Sequence, residues 1–480
     1  MDLAARNYYS GGFTNRLSWM RESPAFLRAA LVSPKARFIL FNALRPLVNT
    51  TPSSNASVDM PNPFISRADQ IHSLVKISWN TLSAALGGSA VGIPVTATQI
   101  IGEKGVMWPQ QLVDRTRDTE HLPLTRYPTI IFLGTDESTT EGVTLPLEPA
   151  KDSAQDVDQA FEEHTIGSPM WAIDVTEVPS LADEALITQI WQKEQDSSGV
   201  ENAQGLRFMD LRTALLGISD ASMAAQSRSL IDWNIRNRFC SACGRPTHSQ
   251  WVGWKLACTP DVKRPSDGHQ DPNATDLHIR AQCLTTKGGV QNFCYPRSDP
   301  VCIMAITNST NDAILLGRKK IWPEGFYSCL AGFIEPGESL EDSVRREAWE
   351  EAGVKVGPVN YHSTQPWPFP GSLMIGVFGE AEANPNIRTD LDKELEDARF
   401  FPRSIVRKAV ETREVITLTE AEIMQMDEGN ATSDTPSKKP TTIKLRIPPP
   451  TAIAHQLIKT WAFGDQVPKP MQTIGQRPNF

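Results

Sequence analysis

The stretch that constrains the chain most is GFIEPGESLEDSVRREAWEEAGV, at residues 332–354. It begins with a glycine turn and continues into a predicted helix. At about 100° per residue, the apolar positions Leu340 and Val344 form one stripe, and this stripe continues into Glu347 and Glu351. The helix face that begins as core therefore ends in carboxylates.

A third carboxylate, that of Glu350, lies about a quarter turn from this stripe, so three acids could converge near the end of the helix. Without a cation they would repel each other and raise each other's pKa. Oxygen-rich clusters of this kind suit Mg²⁺ or Mn²⁺, particularly where a phosphate supplies further ligands. The alternative is that these acids form a solvated helix face.

The spacing of the stretch resembles the motif of the Nudix hydrolases, in which Gly and Glu precede Arg-Glu-apolar-x-Glu-Glu-x-Gly-apolar. The chain meets each fixed position, at Gly332, Glu338, Arg346, Glu347, Ala348, Glu350, Glu351, Gly353 and Val354. The resemblance implies a loop-helix-loop that holds divalent metal against a diphosphate. It also implies a hydrolase of nucleoside diphosphates linked to another group, but the motif does not specify that group.

Length and charge limit the other possibilities. A chain of 480 residues is long enough for two or three domains. Its net charge of −9 argues against a protein that mainly coats nucleic acid, although a local basic patch remains possible.

The sequence also bears on location. No apolar run approaches the roughly 18 to 20 residues that span a bilayer. The N-terminus lacks a secretory pattern, and the C-terminal QRPNF is not a Ser-Lys-Leu type peroxisomal signal. We expect an intracellular protein, cytoplasmic or peroxisomal, with no membrane partner.

All seven cysteines fall between Cys240 and Cys329, which indicates a local metal site in a reducing compartment rather than a disulfide framework. Cys240 and Cys243 form CSACG, where the two-residue spacer lets both thiolates face one ion. Cys258 is the third candidate ligand. The alternative is a redox pair, which is less favoured because no thioredoxin-like strand precedes it.

Two cysteines, Cys283 and Cys294, compete to be the fourth zinc ligand. Residues 259–282 are interpreted as an insertion, and His269 and His278 within it as loop residues. A filled four-cysteine site has no open position, so the zinc is predicted to be structural.

The part before the cysteines changes from strands to helices. Apolar runs predict strands of a mixed domain at 36–49, 74–79, 129–133 and 170–175. Apolar spacing over 181–239 predicts helices that connect two domains. The longest of them is predicted at 210–233, with a possible break at Gly217.

The part after the cysteines begins with two apolar runs, 301–307 and 313–319, that predict a β-hairpin. A further run at 326–333 leads into the acidic stretch. Cys302 and Cys329 lie in these runs and are interpreted as small buried side chains.

Residues 364–374 read TQPWPFPGSLM. The alternating prolines stiffen an extended loop and are incompatible with a helix or a central strand. Trp367 and Phe369 would project from this loop, and Gln365 and Ser372 would add hydrogen-bonding groups. Beside a phosphate site, such a loop could clamp a nucleobase or nicotinamide ring. The alternative is a loop whose prolines and rings serve only packing.

This segment closely resembles the SQPWPFPxS array that follows the same motif in NADH pyrophosphatases, with Thr364 replacing the first serine. With the cysteine pair and the acidic stretch, the resemblance covers about residues 235–465. It implies an α/β (α+β) fold in which a Nudix α/β/α sandwich follows a mixed α/β N-terminal domain and a zinc ribbon. The expected parts are 1–235, 236–298 with its insertion, 299–466, and a tail at 467–480.

The resemblance also implies roles for individual residues. Divalent metal would be bound by Glu347, Glu350, Glu351 and Glu394 together with the carbonyl oxygen of Ala331. Taken alone, Glu394 would be interpreted as part of a solvated acidic loop. The implied substrate contacts are Tyr295, Phe333, Gln365, Pro366, Trp367, Pro368, Phe369, Pro370, Gly371, Ser372 and Ala454.

In relatives with this organisation, the fourth zinc cysteine stands a short distance before a YPR segment, which favours Cys283 here. Cys294 directly precedes that segment and is the alternative. The resemblance further implies a homodimer in which the proline-rich loop and the zinc region complete the nucleotide pocket.

The expected reaction is attack by water on the diphosphate bridge of NADH or NAD⁺, which gives AMP and NMNH or NMN. Mg²⁺ or Mn²⁺ would neutralise the bridge and lower the pKa of a bound water. Glu350 is expected to act as general base or only as a ligand, and Glu338 to orient Arg346. The alternatives are removal of an NAD cap from RNA by the same chemistry and a catalytically silent nucleotide-binding sensor.

Overall fold

The structure is a computed structural model. It describes residues 7–11, 14–50, 71–87, 96–102, 106–108, 127–136, 167–198, 205–258, 283, 285, 295–382, 385–429 and 442–464. The predicted insertion at 259–282, the alternative zinc ligand Cys294 and the predicted tail at 467–480 lie outside these residues.

The first unit is built from strands β1 (Thr14–Asn15), β2 (Arg37–Asn42), β3 (Arg45–Asn49), β4 (Ser73–Leu74), β5 (Lys76–Ser78), β6 (Thr129–Asp136), β7 (Ser168–Asp174) and β8 (Leu206–Phe208). They form one sheet in the order β1-β6-β7-β2-β3-β4, and β5 and β8 pair with β2 and β3. Its helices are α1 (Pro24–Val32), α2 (Trp79–Gly87), α3 (Ala97–Ile100), α4 (Glu184–Ser198) and α5 (Ile218–Arg236).

This sheet is covered on both faces. Phe38 and Leu40 of β2 belong to one core layer, with residues of α1 and α2. The alternating residues Ile39 and Phe41 belong to the opposite layer, with residues of α5. Burial on both faces explains why the central strands are continuous apolar runs.

The strands predicted at 36–49, 129–133 and 170–175 are confirmed, whereas three other predictions need correction. The run at 74–79 is divided among β4, β5 and the start of α2. The helix predicted at 210–233 begins only at Ile218, because Gly217 has extended backbone angles (φ −58°, ψ 157°) and caps it. Residues 206–208, within the region predicted as helical, instead form β8 at the sheet edge.

A hairpin follows the first unit. This hairpin, called the cysteine hairpin below, consists of the antiparallel strands β9 (Thr247–Gln250) and β10 (Lys255–Cys258). The indole nitrogen of Trp254 donates to the carbonyl oxygen of Phe132 (2.7 Å), and the guanidinium carbon of Arg21 lies 3.5 Å from the Trp254 ring centroid. These contacts fix the hairpin against the first unit.

The second unit contains strands β11 (Asp299–Thr307), β12 (Ala313–Arg318), β13 (Leu330–Phe333), β14 (Val356–Trp367), β15 (Ser372–Ala381) and β16 (Asp397–Pro402). The sheet order is β14-β15-β11-β12-β16, β13 pairs with β11, and β11 and β15 are parallel. The remaining elements are α6 (Leu340–Ala352), α7 (Arg403–Thr412), β17 (Ile416–Thr417), α8 (Glu420–Gly429), β18 (Lys444–Leu445) and α9 (Ile453–Phe463).

Alternating residues of β11 separate the helices of this unit. Cys302 and Met304 face the core layer of α6, whereas Ile303 and Ala305 face that of α7 and α9. The predicted α/β/α sandwich, the hairpin at 301–319 and the burial of Cys302 and Cys329 are confirmed.

The proline-rich segment is more regular than predicted. Thr364–Trp367 complete β14 and pair with β15, so only residues 368–371 form the connecting turn. Pro366 is tolerated within β14 because this strand lies at the edge of the sheet. An edge strand has no neighbour on its outer side, so an N–H group is not needed there.

Candidate active site and zinc site

Helix α6 positions the acidic stretch. Ser339 and Asp342 cap its start reciprocally, with distances of 3.2 and 3.3 Å between each backbone nitrogen and the other side chain. Gly353 ends it in the left-handed region (φ +65°), which favours glycine. Val344 is fully buried and Glu351 is 2% exposed, so the predicted stripe does run from core to carboxylate.

Arg346 is the centre of the ion pairs on this helix. Its Nε and Nη2 donate to the two carboxylate oxygens of Glu338 (2.5 and 2.9 Å), as expected for the predicted pair. Its Nη1 donates to Glu347 Oε1 (2.8 Å) and Glu350 Oε2 (3.0 Å), and Nη2 also donates to the carbonyl oxygen of Phe333 (2.9 Å). The guanidinium lowers the pKa of Glu338 to about 2.

Gly332 leaves the space in which the Glu347 carboxylate lies. A Cβ atom at residue 332 would stand 1.9 Å from Glu347 Cδ. The first glycine of the stretch is therefore required by close approach between β13 and α6 rather than by an unusual backbone angle.

Glu351 lies in the least solvated part of the cluster. Burial, followed by the charges of Glu394 and Glu347, raises the pKa of Glu351 to about 9. Burial likewise raises the pKa of Glu347, against the effect of Arg346. Among the described residues, Glu351 Oε2 is a buried oxygen without a hydrogen-bond partner. An unpartnered buried carboxylate oxygen is what a metal ligand would present before the ion binds.

Lys319 is a member of the cluster that the sequence did not reveal. It directly follows β12 and forms an ion pair with Glu394. It also opposes the rise in the pKa of Glu351. The pairing of β12 with β16 brings these chain segments together, and no local sequence pattern indicates it.

The carboxylates fit a divalent ion by their chemistry, although they are not gathered around one point. Among the described residues, the four-cysteine cluster is the one group of three or more His, Cys, Asp or Glu side chains whose ligand atoms lie within 4.8 Å of one another. Glu347 and Glu350 are paired with Arg346, and Glu394 with Lys319. Binding of Mg²⁺ or Mn²⁺ would therefore require these ion pairs to rearrange.

The predicted substrate contacts lie at several places around the second sheet. Phe333 is 59% exposed at the end of β13, beside the Arg346 network. Tyr295 instead packs on Trp251 of the cysteine hairpin, with ring centroids 5.6 Å apart. Ala454 is buried at the start of α9.

Gln365 is completely buried and its amide is fully used within the protein. Its Nε2 donates to the carbonyl oxygens of Tyr8 (2.9 Å) and Thr451 (2.8 Å), and its Oε1 accepts from the backbone nitrogen of Ile453 (2.8 Å). In this arrangement it joins the N-terminal segment, β14 and α9.

The turn after β14 faces the first unit. Trp367 and Phe369 pack against the core layer of α5. Pro366, Trp367, Pro370, Gly371 and Ser372 also line a cavity of about 760 Å³ that is bounded on its other side by α5, the cysteine hairpin and Arg297. Phe333 of β13 and Met374 of β15 pair with Val301 from opposite sides, about 10 Å apart across two strand spacings. The end of β13 and the start of β15 therefore lie at the same end of β11.

The cysteine cluster contains Cys240, Cys243, Cys258 and Cys283, the four residues favoured by the sequence. The Sγ atoms are 3.7 Å apart for Cys240 and Cys283 and 3.3 Å apart for Cys243 and Cys258. A tetrahedral zinc site with bonds of about 2.3 Å separates its sulfurs by about 3.8 Å. The donor set and spacing therefore fit Zn²⁺.

The fold and site define an α/β/α hydrolase with a carboxylate-rich helix, and the comparisons with known proteins agree. Residues 296–418 match the NUDIX domain. Residues 35–233 match the NADH pyrophosphatase-like rudimentary NUDIX domain. The chain belongs to the Nudix hydrolase family, in the NADH pyrophosphatase-type group.

Individual relatives cover the chain to different extents. The NAD-capped RNA hydrolase of Schizosaccharomyces pombe is 30% identical over 467 residues, which are 96% of this chain and 94% of that protein. The Homo sapiens NAD-capped RNA hydrolase NUDT12 is 39% identical over 242 residues, 50% of this chain and 42% of that protein. The Homo sapiens mitochondrial NAD(P)H pyrophosphatase NUDT13 is 32% identical over 262 residues, 53% of this chain and 59% of that protein.

No helix in the described ranges is both long enough and apolar enough to cross a membrane.

Gly332→Ala should weaken metal binding, because its Cβ would displace the Glu347 carboxylate. We expect Mn²⁺ affinity, measured by calorimetry, to fall by about tenfold or more. Gly357→Ala is the matched control, since its Cβ would meet only the Glu380 carbonyl oxygen at 3.7 Å. Equal Mn²⁺ affinities for both variants would contradict this role of Gly332.

Glu351→Gln should stabilise the metal-free protein at alkaline pH. A carboxyl whose pKa is raised from 4.5 to about 9 contributes its full stability below pH 4.5 and loses it as the pH rises towards 9. The free energy of unfolding of Glu351→Gln should therefore exceed that of the wild type by an amount that grows by about 1.4 kcal/mol per pH unit between pH 4.5 and 9. Thermal unfolding of both proteins in a chelator from pH 5 to 9 measures this difference. If the stabilities of the two proteins changed in parallel with pH, the raised pKa of Glu351 would be contradicted.

Cys243→Ser should lose zinc and lower the unfolding temperature, because the cluster would retain only three thiolates. Elemental analysis of the purified protein gives the zinc content. Cys302→Ser is the control, since Cys302 lies in the second sheet beside Ser343. A Cys243→Ser protein with one zinc per chain would rule out the four-cysteine site.

Proposed function

We propose that this protein hydrolyses the diphosphate bridge of NADH and NAD⁺, releasing AMP with NMNH or NMN. The observation that carries the proposal is the buried carboxylate of Glu351. Its Oε2 has no hydrogen-bond partner among the described residues, and it lies close enough to Glu347 and Glu394 for their charges to raise its pKa. The relatives named as NAD-capped RNA hydrolases and as an NAD(P)H pyrophosphatase support an NAD-related diphosphate as substrate.

The two groups of potential ligands would bind different metal ions. Glu347, Glu350, Glu351, Glu394 and the carbonyl oxygen of Ala331 would hold the divalent ions. When bound, Mg²⁺ or Mn²⁺ supplies charge that neutralises the diphosphate and lowers the pKa of a bound water. The cysteine cluster would hold Zn²⁺ away from the chemistry.

Glu350 is the proposed general base. Its side chain is 46% exposed, so water reaches it, and its distance of 3.0 Å from Arg346 Nη1 keeps it near the other carboxylates. Glu338 uses both oxygens on Arg346 and would orient that guanidinium rather than take a proton.

Removal of an NAD cap from RNA is the second candidate. The same bond would be cut, and the Schizosaccharomyces pombe relative that spans nearly the whole chain is named for this activity. The net charge of −9 weighs mildly against RNA as the principal substrate. A silent nucleotide-binding sensor is less consistent with the complete carboxylate set.

Other predictions from the sequence stay proposals. We propose a cytoplasmic or peroxisomal location, a homodimer, and domain boundaries near residues 235, 298 and 466. We also propose that Tyr295, Phe333, Ala454 and the segment 365–372 contact the substrate. Sedimentation analysis would test the dimer.

Purified protein with Mg²⁺ or Mn²⁺ should release AMP from NADH, and Glu351→Gln should lose nearly all of this turnover while folding normally. Glu341→Gln is the matched control, because Glu341 is an exposed acid of the same helix. NADH, NAD⁺, ADP-ribose and NAD-capped RNA are compared side by side at equal concentrations. Wild-type-like turnover by Glu351→Gln would refute the metal assignment, and faster turnover of capped RNA would favour the second candidate.

A further inference from the structure

The turn at residues 368–371 is held by the first unit. The guanidinium carbon of Arg212 lies 3.7 Å from the centroid of the Phe369 ring, and that of Arg228 lies 4.5 Å from it. Arg228 Nη1 also donates a hydrogen bond to the carbonyl oxygen of Pro368. Arg228 on α5 therefore contacts both the ring and the backbone of the turn, through a cation–π contact and a charge-assisted hydrogen bond.

An aromatic group supports the same turn. The ring centroid of Tyr9 lies 6.2 Å from that of Trp367 and 6.4 Å from that of Phe369, with edge-on geometry in both cases. Tyr9 is 4% exposed, and its hydroxyl donates to the carbonyl oxygen of Leu211 (2.8 Å). The support is therefore itself fixed within the core of the first unit.

The strand that leads into the turn is anchored as well. Asn7 Nδ2 donates to Ser363 Oγ (2.9 Å) and to the carbonyl oxygen of Thr364 (2.8 Å), and Gln365 is bonded to Tyr8. The N-terminal residues thus follow the end of β14, and Arg228 holds the point where the chain reverses.

The position of the turn affects the shape of the cavity of about 760 Å³. Trp367 and Ser372 form one wall of this cavity, whereas Ser229 and Trp233 of α5 form another. Because Arg228 precedes Ser229 on α5 and donates to the carbonyl oxygen of Pro368, it links these two walls directly.

We propose that Arg228 is a positioning residue for substrate affinity. It fixes the turn that, under the proposed function, contacts a ring-bearing part of the dinucleotide. The inference rests on the proposed function for the identity of that substrate. It gives the first unit a role in recognition, although the metal-binding carboxylates belong to the second unit.

Arg228→Met tests this proposal, because it retains an unbranched side chain and loses the guanidinium. The KM for NADH should rise by about tenfold, which corresponds to about 1.4 kcal/mol, while kcat changes by less than about twofold. Hydrogen–deuterium exchange of the ligand-free protein should become faster in peptides covering 364–372. Arg228→Lys, which keeps the charge without the planar fork, should be intermediate. Arg45→Met, at an exposed arginine of β3, should change neither measurement.

The outcomes separate this inference from the proposed function. Unchanged KM and unchanged exchange in Arg228→Met would overturn the inference, and so would a loss of stability accompanied by lower kcat at constant KM. If Arg228→Met does not fold, the same comparison is made with Arg228→Lys. Wild-type protein that leaves NADH intact would refute the proposed function, whereas the exchange measurement would still report whether Arg228 holds the turn.

Discussion

The ion pairs of Arg346 hold the candidate active site together. One guanidinium contacts Glu338 from the loop, Glu347 and Glu350 from the helix, and the Phe333 carbonyl oxygen from β13. The planar, multiply donating guanidinium serves these partners at once, which the point charge of a lysine would not do. Without this cation the carboxylates would repel each other, and the loop, helix and strand would lose their common contact.

Much of the fold can be predicted from local sequence patterns, because the spacing of apolar residues matches the burial of their side chains along most helices and strands. The hairpin at 301–319, the acidic helix and the central strands of the first sheet each match their apolar spacing. The helical prediction failed at 206–217, where the helix starts late and a short strand pairs with β3. Edge pairing depends on a partner distant in sequence, so residue spacing alone does not reveal it.

The candidate site likewise contains some residues that the sequence predicts and others that only the tertiary structure reveals. The residues within the acidic stretch are predictable because one helix brings them together, and the structure adds the depth of Glu351 and the close approach at Gly332. Lys319 and Arg228 were not predicted, since each reaches its partner through the pairing or packing of remote segments. The segment at 364–374 was recognised by its composition, but its attachment to the first unit needed the tertiary structure.

The charges of the cluster indicate how metal binding competes with the protein's own cations. Arg346 and Lys319 pair with Glu338, Glu347, Glu350 and Glu394, whereas Oε2 of the buried Glu351 has no hydrogen-bond partner among the described residues. A divalent ion would gain most at Glu351 and least where a protein cation must first be displaced. Affinity for the ion is therefore set both by the carboxylates that would bind it and by how readily Arg346 and Lys319 release those carboxylates.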